Sequence, residues 1–117
     1  MWEDKKYFYE STVERIIDAD TIDVSIDLGL KVFTTQRLRF ARIDAWETRG
    51  EEREQGLEAK DYVRMRIPEG STVFIQTIKD RTGRYGRYLA EIFYIGAQGL
   101  LVNLNDELLG AGHAELY

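Results

Sequence analysis

From Thr21 to Leu28 the chain alternates without a break: Ile22, Val24, Ile26 and Leu28 on one side, Thr21, Asp23, Ser25 and Asp27 on the other. Period two with one polar side predicts a half-buried antiparallel strand. Tyr7–Ile17, rich in aromatic and β-branched residues, is expected to be its partner, joined through Asp18-Ala19-Asp20. Leu28-Gly29 ends the second strand, and Val32–Ile43 is expected to resume as a third. The period then changes. Ala59, Val63 and Ile67 recur every four residues, with Lys60, Asp61, Arg64 and Arg66 between them. That spacing predicts an amphipathic helix over Glu54–Ile67, stopped by Pro68 and Gly70. Thr72–Ile78 and Tyr88–Ile95 return to strand composition around an Arg/Gly-rich turn, Asp80–Gly86. Leu100–Leu109 has helical spacing and runs into Gly110 and Gly112, residues suited to a helix end.

The order β-β-β-α-β-β-α describes a β-rich α+β chain. A helix between the third and fourth of five strands, with another at the C-terminus, is the pattern of a five-stranded OB-fold barrel. A small split-sheet α+β fold is the alternative from pattern alone. At 117 residues, without repeat, linker or low-complexity tract, residues 1–117 are expected to form one domain. Hydrophobic residues at 44% argue against intrinsic disorder. No apolar run approaches the roughly 20 residues of a membrane-spanning helix, so no membrane association is expected. Met1–Lys6 lacks the basic-then-apolar pattern of an export signal. A cytoplasmic protein or a trimmed, mature secreted domain is expected, as a monomer with no indicated protein partner. The absence of cysteine removes thiol catalysis, disulfides and Cys-based zinc sites. With His113 the single histidine, no site can use two imidazoles.

Three segments carry candidate chemistry. Asp18-Ala19-Asp20-Thr21 sets two carboxylates two residues apart at the start of a strand. Two readings stand: a turn closed by aspartate side chains, and a hard-cation site built from clustered oxygen ligands. In Arg39-Phe40-Ala41-Arg42-Ile43-Asp44-Ala45-Trp46-Glu47-Thr48, alternation puts Arg39 with Ala41 and Ile43, and Phe40 with Arg42. An arginine on an apolar side is costly unless it is paired or faces a cavity. Asp44 and Glu47 follow where this strand ends, either as a salt-bridged strand end or as functional groups on a rigid scaffold. Arg81, Arg84 and Arg87, interleaved with Gly83, Tyr85 and Gly86, form a cationic turn suited to phosphate oxygens or simply to keeping a hairpin tip soluble.

In order and spacing, the stretches VERIIDADTIDV, LRFARIDAWET, GLEAKDYV, RYGRYLAEIF and NDELLGAGHA resemble the staphylococcal-nuclease-like (thermonuclease) family. They run from Val13 to Ala114, nearly the whole chain, and the family fold is an OB barrel. The resemblance implies a calcium-dependent nuclease that hydrolyses phosphodiester bonds of DNA or RNA and leaves 3′-phosphates. It places Arg39, Glu47 and Arg87 on the catalytic positions. It places Asp20, Asp44 and the Ala45 carbonyl on the Ca²⁺ ligands, and Arg84 and Tyr85 on a terminal phosphate. Some relatives keep the barrel without the chemistry, so the alternative is a non-catalytic OB-fold module for nucleic-acid binding or scaffolding.

Two positions depart from the family pattern. Ala19 replaces the glycine of a D-G-D turn, which would strain it if the position needs positive φ. Trp46 replaces the proline of D-x-P-E, loosening a backbone restriction while offering an indole for base stacking. Tyr117 aligns loosely with a base-stacking aromatic and reads equally as a terminal packing residue. The net charge of −5 lowers the expectation of a nucleic-acid coating protein. It does not oppose a nuclease, because the arginines cluster: Arg37, Arg39, Arg42, Arg49 and Arg53 in one window, Arg81, Arg84 and Arg87 in another.

Overall fold

A computed structural model of the chain describes residues 6–82 and 86–117. Ile22, Val24 and Ile26 of strand β2 (Thr21–Asp27) are buried, as alternation predicts. Leu28 differs, because the strand ends at Asp27 and leaves Leu28 exposed in the following turn. Strand β1 (Phe8–Asp18) buries Val13 and Ile16, a spacing of three that plain alternation cannot satisfy. A register shift between Val13 and Arg15 supplies the extra residue and returns Ile16 to the inner face.

The expected third strand divides. β3 (Phe33–Phe40) pairs along β2 from Asp27↔Phe33 to Thr21↔Arg39, and β4 (Ile43–Ala45) follows separately. The break lies at Arg42, held at φ +70°. This left-handed residue resets the side-chain alternation, so Phe40, Ala41 and Ile43 are all buried and Phe40 does not share a face with Arg42. The Arg42 guanidinium instead donates to Glu91 through Nε (2.8 Å) and Nη2 (2.6 Å), and through Nη2 to Asp106 (2.8 Å). Those partners raise its pKa further above the usual arginine value.

After a single 3₁₀ turn (Gly50–Glu52), helix α1 (Arg53–Arg66) buries Gly56, Ala59 and Val63. Arg64 and Arg66 lie in its last turn, where cations complement the helix dipole. Strand β5 (Thr72–Thr82) pairs antiparallel with β1 and with β6 (Tyr88–Ile95). Three parallel pairs, Leu38↔Tyr88, Arg39↔Leu89 and Phe40↔Ala90, join β3 to β6. The circuit β1-β2-β3-β6-β5 therefore closes into the five-stranded OB barrel that the pattern predicts.

The C-terminal helix starts later than its periodicity suggests. Leu101–Asn103 forms strand β7, paired with the far end of β6, and α2 spans Leu104–Gly110. Asn103 decides the boundary, since its side chain caps the helix by accepting from the Asp106 N–H (3.0 Å). Gly112, at φ +78°, turns the chain out of α2. β8 (Ala114–Leu116) then returns to pair with β4. Asn105 is fully buried behind this seam. Its amide donates to the carbonyls of Ala41 (3.0 Å) and Ala90 (3.1 Å) and accepts from the Ile92 N–H (3.1 Å). A buried polar group is stable only when paired in this way.

Candidate active site

The turn Asp18-Ala19-Asp20 joins β1 to β2 at one end of the barrel, beside the end of β3. Ala19 is buried and outside the left-handed region, so replacing a glycine there creates no backbone strain. Asp20 is 8% exposed and has both oxygens occupied. Oδ1 accepts the Thr21 hydroxyl (3.0 Å), and Oδ2 accepts the Ala45 N–H (2.8 Å) across the barrel mouth. The backbone donor at the end of β4 thus fixes the direction of a carboxylate from the β1–β2 turn.

Arg39 stands between the acids. Its Nη1 lies 2.9 Å from Asp20 Oδ2, and its Nη2 donates to Asp44 Oδ1 at 2.9 Å. The side chain is only 12% exposed, which meets the requirement that an arginine in this position be paired or face a cavity. The Nη1 contact is an ion pair without hydrogen-bond alignment, so that nitrogen keeps donor capacity for another oxygen. Asp44 is half exposed. From the residue just before β6, the Arg87 guanidinium reaches the Thr21 hydroxyl at 3.3 Å. Thr21 therefore connects the Arg87 side to the Asp20–Arg39–Asp44 chain.

Glu47 follows on the loop after β4, with its carboxylate exposed. Its N–H donates to Glu52 Oε1 (3.0 Å), and Thr48 Oγ1 donates to Asp18 Oδ1 (3.0 Å). All these groups line one cavity of about 600 Å³: Asp20, Arg39, Asp44, Ala45, Glu47 and Arg87. Two readings of isolated segments, a turn and a salt-bridged strand end, thus become parts of one site. Arg84 and Tyr85 lie outside the described residues. Tyr117 also lines the cavity, its ring 5.5 Å from the Arg39 guanidinium carbon. The Trp46 indole is half-buried and donates its N–H to the Gly112 carbonyl at 2.9 Å.

The family model for staphylococcal nuclease homologues matches residues 37–117, which include the end of β3, β4, both helices and Arg87 just before β6. The chain belongs to the staphylococcal nuclease homologues. Endonuclease YhcR of Bacillus subtilis (strain 168) is 31% identical over 117 residues, covering 93% of this chain. The chain spans 9% of that relative's length. The acidic and basic groups of this chain gather at one end of the OB barrel, where strand ends and a loop hold them.

Two carboxylates and a main-chain carbonyl form an all-oxygen donor set, the chemistry a hard cation requires. Among the described residues no group of three or more His, Cys, Asp or Glu is arranged to hold a metal. Asp20 and Asp44 have the oxygen chemistry for such a cation, and in this structure both carboxylates are paired with Arg39. Sequence reasoning missed two residues here. Asn105 carried no signal beyond its place in a family stretch. Gly56 could have been found: it opens the GLEAK stretch on what is otherwise a helix, where glycine is disfavoured.

Proposed function

We propose that the chain is a calcium-dependent nuclease hydrolysing phosphodiester bonds of DNA or RNA. The observation that carries this reading is the convergence of Arg39, Glu47 and Arg87 with Asp20 and Asp44 on one open cavity. Phosphodiester hydrolysis needs an activated water and stabilisation of charge on the nonbridging oxygens, so positioning and electrostatics supply most of the rate. Glu47, exposed to solvent, takes the proton of the attacking water as general base. Arg39 and Arg87 donate to phosphoryl oxygens, with bonds that strengthen as the pentacoordinate state gathers charge. Asp20, Asp44 and the Ala45 carbonyl would hold Ca²⁺, which would supply Lewis-acid polarisation of a phosphoryl oxygen. Arg84 and Tyr85 bind a terminal phosphate, and the products carry 3′-phosphates, as in the family.

The test is cleavage of single-stranded DNA and RNA in millimolar Ca²⁺, with and without EGTA, by wild type and Glu47→Gln. Wild type is expected to cleave, EGTA to stop it, and Glu47→Gln to lose roughly 10²–10⁴ in turnover while still binding oligonucleotide. Equal inactivity of both proteins on both polymers, with binding intact, would replace the catalytic reading with that of a binding module.

A further inference from the structure

We infer that Trp46 is a positioning residue for Glu47, acting through its indole N–H; the inference rests on the nuclease reading above. Among the described residues the Glu47 carboxylate has no hydrogen-bond or ion-pair partner, so only its backbone aims it. That backbone is held from two directions. On the helix side, the Glu47 N–H donates to Glu52, and Thr48 is tied to Asp18. There too, Gly56 of α1 packs against the Glu47 carbonyl so closely that a Cβ would overlap it. These contacts fix the chain at and after Glu47.

On the strand side, the last ordered support is Ala45, which pairs with Ala114 and donates its N–H to Asp20. Trp46 is the single residue between Ala45 and Glu47, and its Nε1–H binds the Gly112 carbonyl at 2.9 Å. Gly112 sits in the turn between α2 and β8, with its φ of +78° beside two backbone bonds that close the helix, Gly112 N–H to Leu109 O (3.2 Å) and His113 N–H to Leu108 O (3.0 Å). The indole therefore ties the residue before Glu47 to an immobilised turn 66 positions away in the chain. Without that bond, one free backbone pair separates the Glu47 side chain from the barrel. A reacting group displaced by about 1 Å loses on the order of a hundredfold in rate. The half-buried indole edge is thus committed to a main-chain acceptor.

The experiment is steady-state cleavage of single-stranded DNA by Trp46→Phe, which keeps an aromatic ring and removes the N–H, in the wild-type and Glu47→Gln backgrounds. If Trp46 acts through Glu47, Trp46→Phe lowers kcat about ten- to hundredfold with KM within twofold. The same substitution in the Glu47→Gln background then changes kcat by less than twofold, because the group it aims is already gone. A packing role would lower both backgrounds by equal factors, and that result overturns the inference. A kcat within twofold of wild type also overturns it. Trp46→Tyr, which retains more of the side-chain bulk, is expected to behave as Trp46→Phe does. Loss of cooperative melting in both variants would assign Trp46 to packing rather than aiming. An inactive wild type sinks the nuclease reading and this role with it, whereas an active wild type with unaffected variants sinks this role alone.

Discussion

Arg39 and Arg87 approach the same cavity from neighbouring segments, β3 and the residue before its partner β6. Arg39 lies between Asp20 and Asp44, and removing it leaves the buried Asp20 carboxylate without its cation. Asp20 retains the Thr21 hydroxyl and the Ala45 N–H, which limits the damage below that of a wholly orphaned charge. Arg39→Ala is therefore expected to lose about 2 kcal/mol of stability as well as roughly 10²–10³ in cleavage rate. Arg87→Ala should lose a similar factor in rate. Single-turnover cleavage checks both rate losses and urea titration the stability loss at Arg39; an Arg39→Ala midpoint equal to wild type would contradict the pairing with Asp20. Gly56 illustrates a different constraint at this scale. A glycine in a helix interior gives up roughly 0.5–1 kcal/mol relative to alanine, yet here the missing Cβ is what lets α1 approach the Glu47 peptide.

Between elements, the packing of α1, α2 and β6 is locked by Glu107. Tyr94 donates to it at 2.6 Å, Arg66 at 3.2 Å, and the Arg66 guanidinium also lies 4.3 Å over the Tyr62 ring. Burial, and then the bond to Glu107, pushes the Tyr94 hydroxyl up to about 12. Burial acts on Glu107 in the same upward sense, but hydrogen bonds from Tyr94, Tyr62 and Arg66 outweigh it and hold its carboxyl below 4.5. The signs follow from linkage. The raised tyrosine contributes stability that is complete below its unfolded value of 10.0 and is lost as pH climbs from there to about 12. The depressed glutamate contributes stability present above 4.5 and lost as pH falls through its folded value. Tyr94→Phe should lower stability at neutral pH by about 1 kcal/mol. It should also flatten the decline between roughly pH 10 and 12, read from urea midpoints across that range. An unchanged alkaline slope would mean that Tyr94 ionisation is not linked to unfolding.

For the whole molecule, the net charge of −5 acquires a location. At the barrel mouth Arg39, Arg42, Arg49 and Arg87 line the cavity beside Asp18, Asp20, Asp44 and Glu47, so its charges balance while the chain as a whole remains acidic. Long-range attraction to a polyanion is then weak, and grip depends on a few local phosphate contacts. Binding of single-stranded DNA by Glu47→Gln is expected to give a log K against log salt slope of about −2, at roughly −0.7 per neutralised phosphate. Fluorescence anisotropy across a salt series checks this. A slope as steep as about −6 would require an extended basic track.

The sequence by itself determined the strands of the barrel, the helix across residues 54–67 and, through family stretches in register, which charged residues belong together. These follow from periodicity and short motifs, which neighbours along the chain impose wherever the chain is placed. It could not place the break at Arg42, because a left-handed residue inside an alternating run leaves no compositional mark. Nor did it show β7, β8, the buried Asn105 amide or the tie from Trp46 to Gly112, which the open base-stacking surface inferred for the indole did not anticipate. Apart from β7, a local hairpin with β6, these depend on how the barrel closes. Closure through the parallel β3–β6 seam brings chain segments some 50 residues apart within hydrogen-bond reach; α2 then bonds across it through Asn105, and β8 pairs with β4. Donors and acceptors separated by such distances find each other only once register is fixed in three dimensions. Which residues carry charge to the site was legible along the chain; what holds Glu47 in place was decided by the tertiary structure.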